Sequence, residues 1–323
     1  MNERRREQRA DDLLRWLTTQ YFTTPATNEI ARELTSTVDR NFYSPPGAKT
    51  ISAITGPNGL GKSTLVRFWA ERQYLRWTTS ETHDKAGFPV WNPSAGVTAD
   101  LCPIAWANLQ ADARVKELDA QILEFFGLPS EGVARTLTNR VVRAMARHQV
   151  RVLVIDDAHL LQTSSQQGRA VLDHLKHLNT QLGEFGASLI LIGANLTDGE
   201  LVRDPQIEAR LRLHRIEACN VATDSGREIW QACLLKLERL LNPHLPNLER
   251  EDLHRKNAQL LWDRTGGRLG QLSHLISEAA ARATLDGSGR ITKTHICAVP
   301  LSEQAEREYK ARIITRKQKS KKS

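Results

Sequence analysis

The chain has 323 residues, 40% of them hydrophobic and 25% charged, with a formal net charge of +8, which is typical of a globular protein and excludes a largely disordered one. No run of about 18 apolar residues is present, so we predict no transmembrane helix and no membrane partner, and the charged N-terminus lacks a secretory signal core. The four cysteines show no zinc-site spacing, and we expect them to be buried thiols of a cytoplasmic protein.

The N-terminal segment is predicted to be helical. An apolar face that includes Leu13 and Leu17 indicates a helix over residues 1–20. A Thr-rich connector follows, and a second helix is predicted over about 28–38. We group these elements as an N-terminal helical extension, residues 1–44.

The most informative motif is a glycine-rich loop between an apolar strand and a helix, Gly56-Pro57-Asn58-Gly59-Leu60-Gly61-Lys62-Ser63. A nucleotide-phosphate loop requires this arrangement, because glycines let backbone N–H groups turn toward a phosphate and the helix N-terminus adds its partial positive charge. We therefore expect ATP or GTP to bind here, with Lys62 on the β- and γ-phosphates and Ser63 on Mg²⁺. The other predicted nucleotide contacts are Gly56, Asn58, Gly59, Gly61 and Thr64.

Strands and helices alternate after this loop. A Thr-, Gly- and Pro-rich excursion over 78–100 is predicted to be a loop or hairpin. The patterns that follow predict strand 101–109, helices 115–126 and 138–147, strand 151–157, helix 166–182 and strand 188–195. This alternation implies a parallel sheet covered on both faces, and we assign the α/β core to residues 45–222.

Polar side chains end two of these strands. Asp156 and Asp157 follow the first, and Asn195 ends the next. We expect Asp156 to hold Mg²⁺ and Asp157 to act as general base or to orient water, a position usually taken by glutamate. The shorter aspartate would slow hydrolysis or make ATP an assembly switch. Asn195 either orients the attacking water or caps the next turn.

Arginines after the Asn195 strand point to action between subunits. Oligomeric ATPases place an arginine there that reaches a neighbour's γ-phosphate and stabilises transition-state charge. Arg210 is the first candidate and Arg212 the second, and either would otherwise be an ordinary surface arginine.

A second set of arginines follows one face of the helix before the acidic strand. Arg140, Arg143 and Arg147 lie at i, i+3 and i+7. Such a stripe would follow a phosphate backbone without reading sequence, or it would be a solvated helix face.

The C-terminal third changes character. Helical periodicity without strand-like runs predicts a helical lid over 223–300. Residues 301–323 carry eight basic residues against three glutamates, which predicts a basic, solvated tail able to contact nucleic acid or an acidic partner.

The order of phosphate loop, acidic strand end, strand-terminal Asn, arginine and helical lid resembles the AAA+ ATPase family. The segments Thr265–Ile276 and Glu278–Ala283 are similar to the lid of the TniB/TnsC group, transposon-encoded ATPases that choose target DNA, and Pro103–Trp106 resembles the same group. The predicted fold class is therefore α/β, a P-loop AAA+ core with a parallel sheet and a small C-terminal helical lid.

This resemblance implies an ATPase that forms a homo-oligomer, a ring or filament, on duplex DNA without base readout. It would recruit and stimulate a transposase, with a target-site protein as a further partner, and hydrolysis would release the assembly. The resemblance also implies a nucleotide contact from a lid arginine, for which Arg268 is the candidate, although it lies about one position earlier than expected.

Two other classes stay open at this point. The run Asp156–Leu161 resembles strand ends of STAND-type signalling switches. A replication-initiator or helicase-loader ATPase would share the phosphate loop and lid but would add a winged-helix DNA-binding domain.

Overall fold

The strands of the protein form two separate sheets. The computed structural model describes residues 2–161, 165–198 and 200–320. Within them the strands are β1 (Ile51–Thr55), β2 (Thr82–His83), β3 (Pro89–Ser94), β4 (Val97–Asp100), β5 (Ile104–Asn108), β6 (Val152–Asp156), β7 (Ser188–Gly193) and β8 (Leu211–Arg215).

Helices occupy most of the remaining chain. They are α1 (Glu3–Thr18), α2 (Pro25–Tyr43), α3 (Lys62–Thr78), α4 (Val115–Phe125), α5 (Ala134–Arg147), α6 (Gln166–Glu184), α7 (Glu200–Arg203), α8 (Pro205–Glu208), α9 (Asp224–Leu241), α10 (Ala258–Thr265), α11 (Leu269–Leu285), α12 (Lys293–Ala298) and α13 (Glu303–Ser320). Short 3₁₀ turns follow β6 and β7, at Ala158–Leu160 and Leu196–Asp198.

The larger sheet is all-parallel, with strand order β5-β6-β7-β1-β8. The residues of β1, β6 and β7 are buried along their whole length, as expected for strands covered on both faces. Sequence patterning did not predict β8. It is an edge strand that, among the described strands, pairs with β1 alone, and most of its residues are half-buried or exposed.

The structure forms two compact units. An α/β unit comprises Glu29–Asn58 and Lys62–Ile216, and a helical unit comprises α1, the loop tip Gly59–Gly61 and the chain from Glu217 onward. The predicted N-terminal extension, residues 1–44, is therefore divided, with α1 in the helical unit and most of α2 in the α/β unit.

The core of the α/β unit lies between the parallel sheet and helices that include α4, α5 and α6. A buried polar cluster joins these three helices: the carboxylate of Asp119 on α4 accepts a hydrogen bond from Thr138 on α5 and contacts His174 Nε2 on α6 at 2.7 Å. Because Asp119 is fully buried, each of its oxygens needs such a partner.

The core of the helical unit explains the position of α1. Leu13 and Leu17 on one face of α1 are buried with residues of α9, α11 and α12. The apolar face that predicts this helix is thus covered by the C-terminal helices of the chain.

The predicted basic, solvated tail is helical over most of its length. Residues 303–320 form α13, which packs on α10 within the helical unit. Ion pairs anchor it: Arg264 contacts Glu306 at 2.7 Å, and Arg316 contacts Asp263 at 3.0 Å. Lys321 and Lys322, also assigned to this tail, lie outside the described residues.

The excursion over 78–100 is a small antiparallel sheet of order β2-β3-β4. Its Trp91 Nε1 donates to the backbone oxygen of Arg147 at the end of α5, at 3.0 Å. All four cysteines are free thiols; Cys233 is buried, Cys102 and Cys219 are half-buried and Cys297 is exposed. The expectation of four buried thiols is therefore confirmed for Cys233 alone. Among the described residues, no helix combines the length and apolar character needed to cross a membrane.

Candidate nucleotide-binding site

The glycine-rich loop takes backbone conformations that favour glycine. Gly56, Gly59 and Gly61 have φ angles of 147°, 78° and 84°, in the region that L side chains avoid. Lys62 is the first residue of α3, and its Nζ donates to the loop's own backbone oxygens, at 2.9 Å to Gly56 and 2.8 Å to Pro57. The ammonium group therefore lies inside the curve of the loop, where a phosphate would meet it.

Electrostatic interactions connect Lys62 of the phosphate loop with the two acidic residues at the end of β6. Burial lowers the pKa of the Lys62 ammonium, and the charges of Asp156 and Asp157 oppose that shift. Because such a charge effect falls off with distance, both carboxylates lie near the lysine ammonium.

The two acids have different environments. Asp156 ends β6 and is only 5% exposed, and its Oδ1 accepts a hydrogen bond from the backbone N–H of Asp157 at 2.8 Å. Asp157 is exposed and has a left-handed backbone, with φ of 56°. Non-glycine residues in this region carry strain that is often found at functional sites.

The end of β7 is held close to both of its neighbours. A Cβ atom at Gly193 would lie 2.8 Å from the backbone nitrogen of His159 and 2.6 Å from Leu196 Cδ2, so only glycine fits there. The backbone N–H of Leu196 donates to Thr55 Oγ1 of β1 at 2.8 Å. Between them, Asn195 is exposed with φ of 47°.

These contacts bring most of the predicted site residues to one edge of the sheet. Since β6, β7 and β1 are adjacent and parallel, the residues that follow them meet at the carboxyl ends of the strands, where open α/β sheets bind ligands. Sequence patterning missed two polar residues at this edge, Thr55 and Asn108. Asn108 ends β5 directly beside Asp156 in the strand register, and its position at a strand end is the signal that would have found it.

The oxygens at this edge fit Mg²⁺. Within the described parts of the chain no group of three or more His, Cys, Asp and Glu residues is placed to hold a metal by itself. Mg²⁺ bound with a nucleotide does not need such a group, because one or two protein oxygens, phosphates and water complete its shell. Ser63 and Asp156, at the start of α3 and the end of β6, supply a hydroxyl and a carboxylate of the required kind.

The two arginine candidates lie at the opposite edge of the sheet. The backbone oxygen of Arg210 accepts from Ile51 N, at the amino end of β1, at 2.9 Å. Arg212 forms an ion pair with Glu33 at 3.4 Å. The Arg210 side chain is exposed, so of the two it is the one whose guanidinium is open to a neighbouring molecule.

The predicted arginine stripe on α5 is not uniform. Arg140 donates to backbone oxygens of the preceding loop, at 3.1 Å to Glu131 and also to Pro129. Arg143 and Arg147 are exposed. The structure therefore gives Arg140 a local role in holding the loop and leaves the other two guanidinium groups facing solvent.

Arg268 is engaged by another side chain. It lies at the N-terminus of α11, and its guanidinium makes two hydrogen bonds to the Glu308 carboxylate of α13, at 2.7 and 2.8 Å. In the same helical unit, a Cβ atom at Gly59 of the loop tip would lie 3.7 Å from Arg268 Cδ. The arginine stem is thus beside the loop tip while its charged end is paired.

A family model described as "Bacterial TniB protein" matches residues 16–220, more than half of the chain. The chain belongs to the TniB family. The matched range contains the phosphate loop and the strand-end residues, whereas the lid segment that resembled the TniB/TnsC group lies beyond it. A search of curated proteins finds no match.

Several solved structures share the fold of this TniB-family chain. It is similar to the Aeropyrum pernix ORC2 protein in ADPNP–ADP complexes, at 12% identity and a TM-score of 0.55, covering 87% of this chain and 69% of that one. It is also similar to Cdc6p from Pyrobaculum aerophilum, at 15% identity and a TM-score of 0.56, covering 85% of this chain and 67% of that one. A third similar structure is Drosophila ORC bound to DNA, at 11% identity and a TM-score of 0.54, covering 90% of this chain and 64% of that one. The α/β P-loop AAA+ fold class with C-terminal helices is confirmed.

Proposed function

We propose that this protein is an ATP- and Mg²⁺-dependent AAA+ ATPase that assembles on duplex DNA and recruits a transposase. The observation that supports it best is the meeting of the phosphate loop, the Asp156–Asp157 pair and Asn195 at one edge of the sheet. Family membership supports the transposition role, and the AAA+ fold supports nucleotide binding.

In the proposed mechanism, a bound nucleotide displaces Lys62 from the loop oxygens, and its ammonium then binds the β- and γ-phosphates. Mg²⁺, held by Ser63 and Asp156, would neutralise phosphate charge. Asp157 accepts a proton from the attacking water or orients it, and Asn195 donates a hydrogen bond to that water. Aspartate reaches about one methylene less far than glutamate, so we expect slow turnover and an assembly switch driven mainly by binding.

Arg210 would act on the nucleotide of a neighbouring subunit. At about 3.3 Å per strand residue, the length of β1 separates Arg210 from the loop at Gly56 by about 16 Å, farther than an arginine side chain reaches. An exposed guanidinium at that edge would stabilise γ-phosphate charge across a subunit interface.

DNA binding would use phosphate contacts alone. Arg143 and Arg147 are exposed one helical turn apart on α5, and repetition of this pair in each subunit would follow a phosphate backbone. The net charge of +8 favours such a partner.

The test is sizing and DNA binding with and without a slowly hydrolysed ATP analogue, comparing wild type with Lys62→Ala. Lys85→Ala is the matched control, because Lys85 is exposed in the turn between β2 and β3. We expect large assemblies only when analogue and long duplex DNA are both present, with wild type and Lys85→Ala but not Lys62→Ala. A DNA-indifferent monomer in every condition would refute the proposal and favour a signalling switch. If the assemblies form, added transposase should co-purify with them.

A further inference from the structure

The helical unit contains a cleft between α9 and a single π-helical turn, Asp252–Lys256. Its cavity volume is about 420 Å³, within the range of about 300 to 1,000 Å³ that is typical of ligand pockets. The lining residues fall between positions 235 and 255, so the cleft lies wholly within one compact unit. They include none of the residues assigned to the nucleotide site.

One of the lining residues is a buried carboxylate, Glu238 of α9. It accepts hydrogen bonds from the backbone N–H groups of Glu251 and Leu253, both at 2.9 Å. Its Oε2 also lies 3.2 Å from His254 Nδ1. Although burial acts in the opposite direction, these hydrogen bonds hold the pKa of the Glu238 carboxyl below its ordinary value. Glu238 is therefore ionised, and both of its oxygens are already engaged by the π-helical turn.

The contact with Glu238 also fixes the tautomer of His254. An ionised carboxylate only accepts hydrogen bonds, so Nδ1 carries the hydrogen of this contact. Among the described residues, no hydrogen bond engages the other ring nitrogen, Nε2. His254 thus brings one ring nitrogen without a partner to the lining of the cleft.

Three arginines line the cleft: Arg239, Arg250 and Arg255. Arg255 pairs with Glu251 at 3.4 Å, and a solvent-accessible pair of this kind is weak. Arg239 and Arg250 are exposed, and neither forms an ion pair within residues 2–161, 165–198 and 200–320. The cleft therefore has two guanidinium groups without a carboxylate partner.

The neighbouring acids are engaged elsewhere. Glu249 and Asp252 each pair with Lys256 and with Arg290, at 2.8 to 3.0 Å. They do not neutralise the arginines of the cleft. The positive charge that remains there favours an anionic ligand.

The number of arginines favours a phosphate over a carboxylate. A guanidinium presents its N–H groups as a planar fork that matches pairs of phosphate or carboxylate oxygens. A carboxylate has two oxygens, whereas a terminal phosphate has three and successive backbone phosphates of DNA add more with each nucleotide. Phosphates therefore engage three arginines more fully than one carboxylate does.

We propose that this cleft binds phosphate, with Arg239, Arg250 and Arg255 as its ligands. The phosphate belongs to a DNA backbone or to a free phosphorylated small molecule, because both offer the arginines the same chemistry. With DNA, the site adds the helical unit to the DNA-contacting surface; with a small molecule, it is an effector site in the lid. Neither case depends on nucleotide binding at the phosphate loop.

The experiment titrates inorganic pyrophosphate and a short DNA duplex into three full-length proteins that all carry Lys62→Ala, which weakens phosphate binding at the loop. The first has no other change. The second, the cleft double variant, adds Arg239→Gln and Arg250→Gln. The third, the control double variant, adds Arg15→Gln and Arg307→Gln, which remove the same charge from exposed positions of α1 and α13 that do not line the cleft.

Calorimetry should show that the cleft double variant binds pyrophosphate at least about tenfold more weakly, because it loses charge-assisted hydrogen bonds, while the control double variant stays within about twofold. Pyrophosphate should also slow hydrogen exchange in the π-helical turn. If the cleft double variant binds the duplex more weakly and lowers the slope of log affinity against log salt by about 2, the phosphate is that of DNA. Unchanged duplex binding would assign the cleft to a small molecule.

Three results would overturn the inference. The first is that neither probe binds, or that the cleft double variant binds both probes as the other two proteins do. The second is that an acidic peptide binds the cleft and neither phosphate probe does, which would assign the cleft to a protein segment. The third is a loss of stability to urea in the cleft double variant alone, which would show that these arginines hold the fold. Because the phosphate loop is disabled throughout, none of these results bears on the proposed ATPase.

Discussion

The buried guanidinium of Arg264 gives a sharp test of how the C-terminal helices are held. Its side chain is only 3% exposed. It donates to the backbone oxygens of Ile296 at 3.2 Å, Cys297 at 3.0 Å and Val299 at 2.6 Å, and to Glu306 Oε1 at 2.7 Å. One side chain therefore hydrogen-bonds both to backbone oxygens at the end of α12 and to a carboxylate near the start of α13.

Arg264→Met keeps most of the apolar volume and removes every donor. Three backbone acceptors and one carboxylate lose a partner, at about 1 kcal/mol each, or about 4 kcal/mol together. Breaking a buried ion pair costs about 3 to 5 kcal/mol, which agrees with this sum. We expect the free energy of unfolding to fall by about 3 to 5 kcal/mol, a large part of the roughly 5 to 15 kcal/mol typical of a folded protein.

Urea unfolding followed by circular dichroism measures this loss, and native-state hydrogen exchange shows whether it is confined to the helical unit. Arg290→Met is the matched control, because Arg290 pairs with Glu249 and Asp252 but is 36% exposed; we expect it to cost about 1 kcal/mol. A loss below about 1 kcal/mol for Arg264→Met would show that water or rearrangement satisfies these groups and that the reasoning from burial is wrong.

Three further predictions concern the proposed activity. Arg210→Ala should retain nucleotide binding but lose at least about 100-fold in hydrolysis; mixing it with Lys62→Ala should restore part of the rate, because a mixed interface joins an intact Arg210 to an intact Lys62, and no recovery would argue against action in trans. The double change Arg143→Ala, Arg147→Ala should lower the slope of log affinity against log salt by about 2 in DNA-binding titrations; an unchanged slope would remove α5 from the DNA-contacting surface. Hydrogen bonding by Arg268 lowers the pKa of Glu308 to about 2. The contribution of ionised Glu308 to stability is therefore complete above the unfolded pKa of this carboxyl group, near 4.5, and is lost as the pH falls toward 2. After allowance for solvent screening we expect about 1 to 2 kcal/mol of stability to be lost over that range in wild type and not in Glu308→Gln, measured by urea unfolding at each pH; equal losses would contradict the assignment.

The parts of the site that could be predicted are those encoded by neighbouring residues. A phosphate loop needs glycines, a lysine and a serine within eight positions, and the strand before Asp156 is a short apolar run. Chain order then places Asn195 just after the next strand, and parallel pairing brings the strand ends together. Each step depends on local pattern and on one rule of topology.

The sequence pattern did not predict β8 because this strand lies at the sheet edge and contains many polar residues. Two of its five residues are arginines and one is a histidine, and in the part of the chain that the structure describes it pairs with β1 alone. The apolar signal that identifies a central strand is therefore absent. Its assignment depends on a pairing partner about 160 residues earlier in the chain, which no local window contains.

The long-range ion pairs could not be predicted from the sequence either. The C-terminal charge predicts a solvated tail, yet Arg312 and Arg316 are engaged by α10 and by Glu308. Arg140 was assigned to DNA from its spacing, but its guanidinium holds backbone oxygens of its own loop. A sequence gives the sign and spacing of charges, whereas the partner of each charge is set by tertiary packing.

The register of β8 against β1 has a consequence for assembly. Arg210 lies at the amino edge of the parallel sheet and Lys62 at the carboxyl edge, so in the proposed assembly the surface that would give an arginine differs from the surface that would receive one. If each subunit pairs its arginine edge with the phosphate-loop edge of the next subunit only, the contact is head-to-tail and either closes into a ring or extends as a filament. A filament of this kind would be directional, and its two ends would present different faces to a partner.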